Sequence, residues 1–244
     1  KDTYGDTSKC TYIWSVTSNE WHQGPDLQTP RMGAACVVLH KKIYILGGVK
    51  SGQNSELDTC EVLDTRQEQK QWQKTMPMRE SRVELAAVTY ANCIYVFGGV
   101  LPNALFEKNG ETIDRRNEPE PTWAERFDPV NNSWTDLPGA KRISFGCSAA
   151  VLDDMIYVIW GRKTCQQFNP QTQKWCQLKL PWQDHYAGAL FPHQGNLFLA
   201  GGMNCRDTNE WTKDMDKYNP STDEWERLPQ ILYFCIQGSA QLAL

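Results

Sequence analysis

"KIYILGGV" spans residues 42–49 and "CIYVFGGV" spans 93–100, and the reading of that repetition decides the fold. A looser copy, "NLFLAGGM", occupies 196–203, and an altered one, "MIYVIWGR", occupies 155–162. Each is a short apolar run, rich in β-branched and aromatic residues, that stops at glycine. A single run of this kind is a strand. Four along a chain of 244 residues point to an architecture of repeated units.

A second signature follows each run. "FDPVNNSW" (127–134), "FNPQTQKW" (168–175) and "YNPSTDEW" (218–225) each place an aromatic seven residues before a tryptophan. "WSVTSNEW" (14–21) keeps the spacing without the proline, and "LDTRQEQKQW" (63–72) is longer. The closing residues Trp21, Trp72, Trp134, Trp175 and Trp225 are 51, 62, 41 and 50 residues apart, a spread that loop insertions explain.

Working outward from 42–49, each unit reads as four antiparallel strands. "AACVVL" (34–39) is a buried first strand and "IYILGG" (43–48) the second. "CEVLD" (60–64) alternates as the third, and "QWQKT" (71–75) is a more polar fourth. The Asn/Asp-Pro-Ser/Thr stretches between third and fourth strands are turn chemistry. A four-stranded sheet has two apolar faces, and packing units side by side in a ring buries both. Gly47, Gly48, Gly98, Gly99, Gly161, Gly201 and Gly202 then allow close backbone approach, and Trp72, Trp134, Trp175 and Trp225 cap the packing between units. These are structural positions, not site candidates.

Composition narrows the function. No run of apolar residues is long enough to span a membrane. A net charge of −4 argues against nucleic acid as partner. Nine cysteines without a CxxC pair or a Cys/His cluster fit a reducing, intracellular setting, the cytoplasm with the nucleus as the alternative, and the opening "KDTYGDTSKC" reads as a piece of a longer protein. No GxGxxG, GxSxG or phosphate loop occurs, and His22, His40, His185 and His193 lack ligand spacing. The chain is therefore expected to be no enzyme and to need no metal or organic cofactor.

An arginine before the first strand, a glycine pair, then an aromatic and a tryptophan is a pattern that resembles the Kelch repeat. It is carried by Arg31, Gly47, Gly48 and Trp72; by Arg82, Gly98, Gly99 and Trp134; and by Gly201, Gly202, Tyr218 and Trp225. Departures mark a divergent member. Trp160 replaces a glycine, and Ser144 and His185 stand where other units have arginine. The resemblance implies an all-β Kelch β-propeller over 1–244, with blades near 31–76, 82–138, 142–180 and 185–229. A composite blade of 1–30 plus 231–244 would close it, with Gly238 matching Gly33. Five blades is the expected number and six the alternative. The nearest family, BTB–Kelch, implies the substrate-binding module of a cullin-3 ubiquitin ligase, engaging cullin-3 through a BTB domain outside this chain. An actin-binding or signalling scaffold is the other implied role.

Strand parity puts the loops joining strand four to the next strand one on the same face as those joining strands two and three. The expected protein or peptide partner docks there, on Arg31, Arg79, Arg82, Arg142, Trp182, His185, Tyr186, Arg206 and Tyr233, residue types that dominate interface energetics. Two readings stay open. Glu80, Glu84 and Asp184 lie nearby in sequence, so Arg31 and Arg82 could instead pair with neighbours. Trp182, Tyr186 and Tyr233 could be core, and Arg79, Arg142 and Arg206 plain surface. The insertion at 100–122 reads as a disordered or functional loop.

Overall fold

The computed structural model describes residues 7–50, 55–99, 105–108, 111–114, 121–143, 146–205 and 207–233. Every regular element among them is a strand. A hairpin, β1 (Tyr12–Ser15) and β2 (Glu20–Gln23), comes first. The first four-stranded sheet holds β3 (Ala35–Leu39), β4 (Lys42–Leu46), β7 (Cys60–Asp64) and β8 (Gln73–Thr75), with the small hairpin β5 (Val49–Lys50) and β6 (Ser55–Glu56) between its second and third strands. The second sheet holds β9 (Ala86–Tyr90), β10 (Cys93–Phe97), β13 (Ala124–Asp128) and β14 (Ser133–Asp136), again with an intervening hairpin, β11 (Leu105–Lys108) and β12 (Glu111–Asp114). The third is β15 (Ser148–Leu152), β16 (Met155–Trp160), β17 (Thr164–Asn169) and β18 (Lys174–Gln177). The fourth is β19 (Ala189–His193), β20 (Asn196–Ala200), β23 (Met215–Asn219) and β24 (Glu224–Leu228), with the hairpin β21 (Met203–Asn204) and β22 (Glu210–Trp211). All pairings within these sheets are antiparallel, in the order first–second–third–fourth. The four sheets resemble propeller blades.

Local chemistry fixes the turns. Each first and second strand meet at two residues with positive φ: His40–Lys41, Ala91–Asn92, Asp153–Asp154 and Gln194–Gly195. Two consecutive left-handed residues give the turn whose twist matches the flanking strands. Between third and fourth strands the Asx side chain folds back onto the main chain. Asp128 Oδ1 accepts from Val130 N at 2.9 Å, Asn169 Oδ1 from Gln171 N at 3.0 Å and Asn219 Oδ1 from Ser221 N at 2.9 Å.

The seven-residue spacing is a cross-strand pair. Phe127 faces Trp134, Phe168 faces Trp175 and Tyr218 faces Trp225 in register, with ring centroids 5.0, 4.7 and 5.0 Å apart. The indole N–H of Trp72, Trp134 and Trp225 donates to the carbonyls of Pro25, Met76 and Lys179, all in the loop entering that unit. Apolar clusters fill the spaces between successive sheets. Tyr44, Leu46, Ile94 and Phe127 share one, Phe97, Ile143, Ile156 and Phe168 the next, and Tyr157, Leu197, Leu199 and Tyr218 the third. Leu27 packs with Leu63 and Trp72 on the other side of the first sheet.

The first strands lie side by side in chain order: β3 beside β9, β9 beside β15, β15 beside β19. A belt of main-chain hydrogen bonds runs across their heads. Glu84 N donates to Gly33 O at 2.7 Å, Gly146 N to Glu84 O at 2.8 Å and Ala187 N to Gly146 O at 2.9 Å. All four residues have positive φ, between +50° and +71° for the three donors. The expected composite blade depends on 234–244, which lie outside the described residues.

Candidate functional site: the loop-rich face

Strand alternation sends the second-to-third and fourth-to-first connections to one side of the sheets. The opposite side carries the two-residue turns. What shapes the loop-rich side is a buried acid–base anchor repeated from sheet to sheet.

In the first sheet, Glu61 on β7 is fully buried. Its carboxylate accepts from Gln28 N (2.7 Å), Thr29 N (3.0 Å) and the Arg31 guanidinium (2.7 Å). Arg31 also donates to Gly47 O at 2.6 Å and Thr59 O at 2.9 Å. In the second sheet, Glu125 on β13 accepts from Arg79 N (2.8 Å), Glu80 N (3.3 Å) and Arg82 Nη2 (2.8 Å), while Arg82 donates to Gly98 O at 2.5 Å and Thr122 O at 2.6 Å. The fourth sheet uses a smaller pair. His185 Nε2 lies 3.2 Å from Asp216 Oδ2, and Nδ1 lies 2.7 Å from Gly201 O. The third sheet has a neutral equivalent. Gln166 Oε1 accepts from Lys141 N at 2.9 Å, and its amide nitrogen reaches Lys141 O at 3.4 Å. In the first three units the third strand grips the main chain of the incoming loop, and in the first, second and fourth the basic residue ties that loop to the carbonyl of the leading glycine of the pair.

The glycine pair is obligatory for this geometry. At Gly48 (φ +99°) a Cβ would stand 2.7 Å from Met32 O, and at Gly202 (φ +85°) 2.6 Å from Tyr186 O. Both the left-handed backbone and the passing loop exclude a side chain.

Loop parity places Arg31, Arg82 and His185 on the loop-rich side. Their main chain is there, but the side chains turn inward and are buried, so they shape the loops from within. Their buried partners Glu61, Glu125 and Asp216 were not singled out in the sequence. Each is the second residue of a third strand, a recurring charge in an apolar context that a register comparison would reveal.

The remaining candidates differ. Trp182 is 62% and Tyr233 81% exposed. The Trp182 indole donates to Trp225 O at 3.0 Å, which holds the ring in place on the surface. Tyr186 is half-buried against Gly146, and its hydroxyl donates to Glu84 Oε2 at 2.6 Å. Burial, then the Glu84 carboxylate, hold its phenol well above the ordinary tyrosine range. Arg79 forms an ion pair with Asp136 at 3.1 Å and keeps its side chain 58% exposed. The Arg142 guanidinium lies 5.9 Å from the Trp123 ring centroid. Arg142 and Trp123 also line a concave pocket of about 480 Å³, walled by Pro121, Leu137 and Pro138. Arg206 lies outside the described residues. The face therefore presents Trp182, Tyr233, Arg79, Arg142 and an edge of Tyr186.

Among the described residues, no group of three or more His, Cys, Asp or Glu side chains is placed to hold a metal ion. The eight described cysteines are free thiols. Among the same residues, no helix is long and apolar enough to cross a membrane.

The Kelch motif model matches residues 30–79 and 81–140. Human Kelch-like protein 23 is 27% identical over 233 residues, covering 91% of this chain and 37% of its own length. Kelch-like protein 26 of Danio rerio is 23% identical, covering 90% and 35%. Beta-scruin of Limulus polyphemus is 22% identical, covering 92% and 25%. The chain thus spans about a third of the Kelch-like relatives' length. Motif match, relatives and sheet order agree: the chain carries Kelch motifs within residues 30–140 and is related to the Kelch-like proteins.

Proposed function

We propose that this domain recognises a protein segment on its loop-rich face, as the substrate-binding module of a BTB–Kelch adaptor for a cullin-3 ubiquitin ligase. The observation that carries the reading is the asymmetry of the two sides. One bears two-residue turns, whereas the other bears three hairpins, internally anchored loops and the exposed rings of Trp182 and Tyr233. An anchored loop with exposed aromatics loses little conformational freedom on binding, which favours affinity. The similarity to Kelch-like proteins supports this reading, and an actin-binding or signalling scaffold is the second reading.

We further propose a single five-bladed ring over 1–244 in a cytoplasmic protein, closed by 231–244 together with β1–β2. The belt of left-handed residues supports it. Its members are 51, 62 and 41 residues apart, and a further step of 51 residues leads from Ala187 to Gly238.

Proximity labelling in cells with the full-length protein tests the function. Recovery of cullin-3 together with clients lost on Trp182→Ala and Tyr233→Ala supports the adaptor reading. Clients retained without cullin-3 would assign a scaffold, and loss through substitutions at His40–Lys41 or Asp153–Asp154 would place recognition on the opposite side.

A further inference from the structure

The fourth sheet breaks the pattern that fixes the other entry loops. In the first two units the third-strand carboxylate accepts from the main-chain N–H groups three and two residues before the basic residue: Gln28 and Thr29 before Arg31, Arg79 and Glu80 before Arg82. In the third, Gln166 takes Lys141 N, three residues before Ser144. The same count back from His185 reaches Trp182 and Gln183. Among the described residues, no main-chain N–H from 180 to 185 donates a hydrogen bond. The matching acceptor is idle too. Asp216 Oδ1 is buried without a partner, while Oδ2 faces His185 Nε2 at 3.2 Å.

Side-chain length explains the mismatch. Asp216 holds the register position of Glu61 and Glu125, second on its third strand, with one methylene less. The shorter pair still ties His185 Nδ1 to Gly201 O at 2.7 Å. A carboxylate drawn back by one C–C bond, about 1.5 Å, no longer reaches the loop. Residues 180–185 are held by side chains instead. The Trp182 indole donates to Trp225 O, the Gln183 amide sits between Asp214 and Arg227, and Asp184 accepts from Arg162 N at 3.2 Å. The main chain is fixed again at each end. Lys179 N donates to Asp223 Oδ1 at 3.1 Å, Lys179 O accepts from the Trp225 indole, and Tyr186 N donates to Met203 O at 3.0 Å. Beside the loop, the third sheet makes only the short turn 161–163 where the other three sheets insert a hairpin.

We infer that residues 180–185 form a hinged flap on an otherwise fixed face, with its hinges at Lys179 and Tyr186, and that Trp182 rides on it. The flap alternates between its present course and a closed course in which Asp216 Oδ1 accepts from Trp182 N or Gln183 N. A switching element needs two arrangements close in energy. Each course here satisfies a group that the other leaves bare: the Trp182 indole N–H in the present one, the buried Asp216 oxygen in the closed one. The flap belongs to the loop itself, whether or not the face binds a client.

Amide hydrogen exchange by NMR on the whole chain reads the flap directly. Trp182 and Gln183 should exchange at least about 100-fold faster than Gln28, Thr29, Arg79 and Glu80. The Trp182 indole resonance should show relaxation dispersion from microsecond-to-millisecond motion. The variant His185→Arg, Asp216→Glu rebuilds the anchor of the first two sheets. It should slow exchange at Trp182 and Gln183 by at least about tenfold and quench the dispersion. The converse change, Glu61→Asp, should speed exchange at Gln28 and Thr29 by at least about tenfold relative to Arg79 and Glu80, which correct for any global loss of stability. Equal protection of these amides in the parent overturns the inference. So does a rebuilt anchor that keeps the parent's melting curve and leaves exchange and dispersion unchanged. Should the rebuilt pair fail to fold, Glu61→Asp decides, and unchanged exchange at Gln28 and Thr29 overturns the short anchor as the cause.

Discussion

Replacing Arg82 with alanine should be among the most damaging single changes in this chain. The side chain has no exposed surface, and neither has that of its partner Glu125. Truncation removes the guanidinium donors to Glu125 Oε1, Gly98 O and Thr122 O. The carboxylate keeps two main-chain N–H donors, from Arg79 and Glu80, but stays buried without a counter-charge. Breaking one side of a buried ion pair costs about 3–5 kcal/mol, a large share of the ~5–15 kcal/mol that holds a folded chain. The third sheet shows that a neutral anchor is compatible with the same architecture, since Gln166 holds its loop by an amide. Glu125→Gln in the Arg82→Ala background should therefore recover part of the loss. The pair should show a coupling of about 1–3 kcal/mol in a double-mutant cycle. Urea unfolding followed by tryptophan fluorescence measures all four corners. A single-mutant cost below about 1 kcal/mol, or strict additivity of the two changes, would refute the anchor as a charged, coupled unit.

Three further outcomes follow from the same geometry. Gly48→Ala should destabilise by about 2 kcal/mol or more, because the left-handed backbone and Met32 O both oppose a Cβ; a urea midpoint within error of the parent would contradict this. Burial pushes the Cys60, Cys147 and Cys165 thiols up to about 12 from an ordinary 9.0. Their contribution is thus complete below the unfolded thiol's pKa and is lost as pH rises from there toward the folded value; urea midpoints should fall over that window, with a shallower fall for Cys165→Ala. Iodoacetamide near pH 8 should label Cys10, Cys176 and Cys205, which are exposed, before the buried three, as peptide mapping would read out.

The sheets could be read from the sequence because their signals are local. A glycine pair after an apolar run, or an aromatic seven residues before a tryptophan, reports one turn or one cross-strand pair. The small hairpins were harder. Strands such as Val49–Lys50 and Met203–Asn204 are two residues long, too short for any periodicity to register, and Leu105–Lys108 with Glu111–Asp114 falls in an insertion that reads as irregular. At the candidate site, loop parity follows the course of the main chain and has no access to side-chain direction. Arg82 and Arg79 sit three residues apart in one loop, yet one is enclosed and the other faces solvent. The difference is set by Glu125, 43 residues from Arg82 in the chain, a pairing that no local pattern encodes.

The anchor has a bearing on how such a domain can diversify. In the loop that enters the second sheet, Arg79 gives its main-chain N–H to Glu125 while its side chain points outward. Shape is thus inherited through the backbone, and surface character through the exposed tip. A change of residue at such a tip leaves the hydrogen bonds that set the loop's course intact. The boundary between what must be kept and what is free to vary therefore falls inside single loops, between neighbouring residues. A descendant of this chain can acquire a new surface chemistry by replacing a few outward side chains while its sheets, tryptophans and glycine pairs remain as they are.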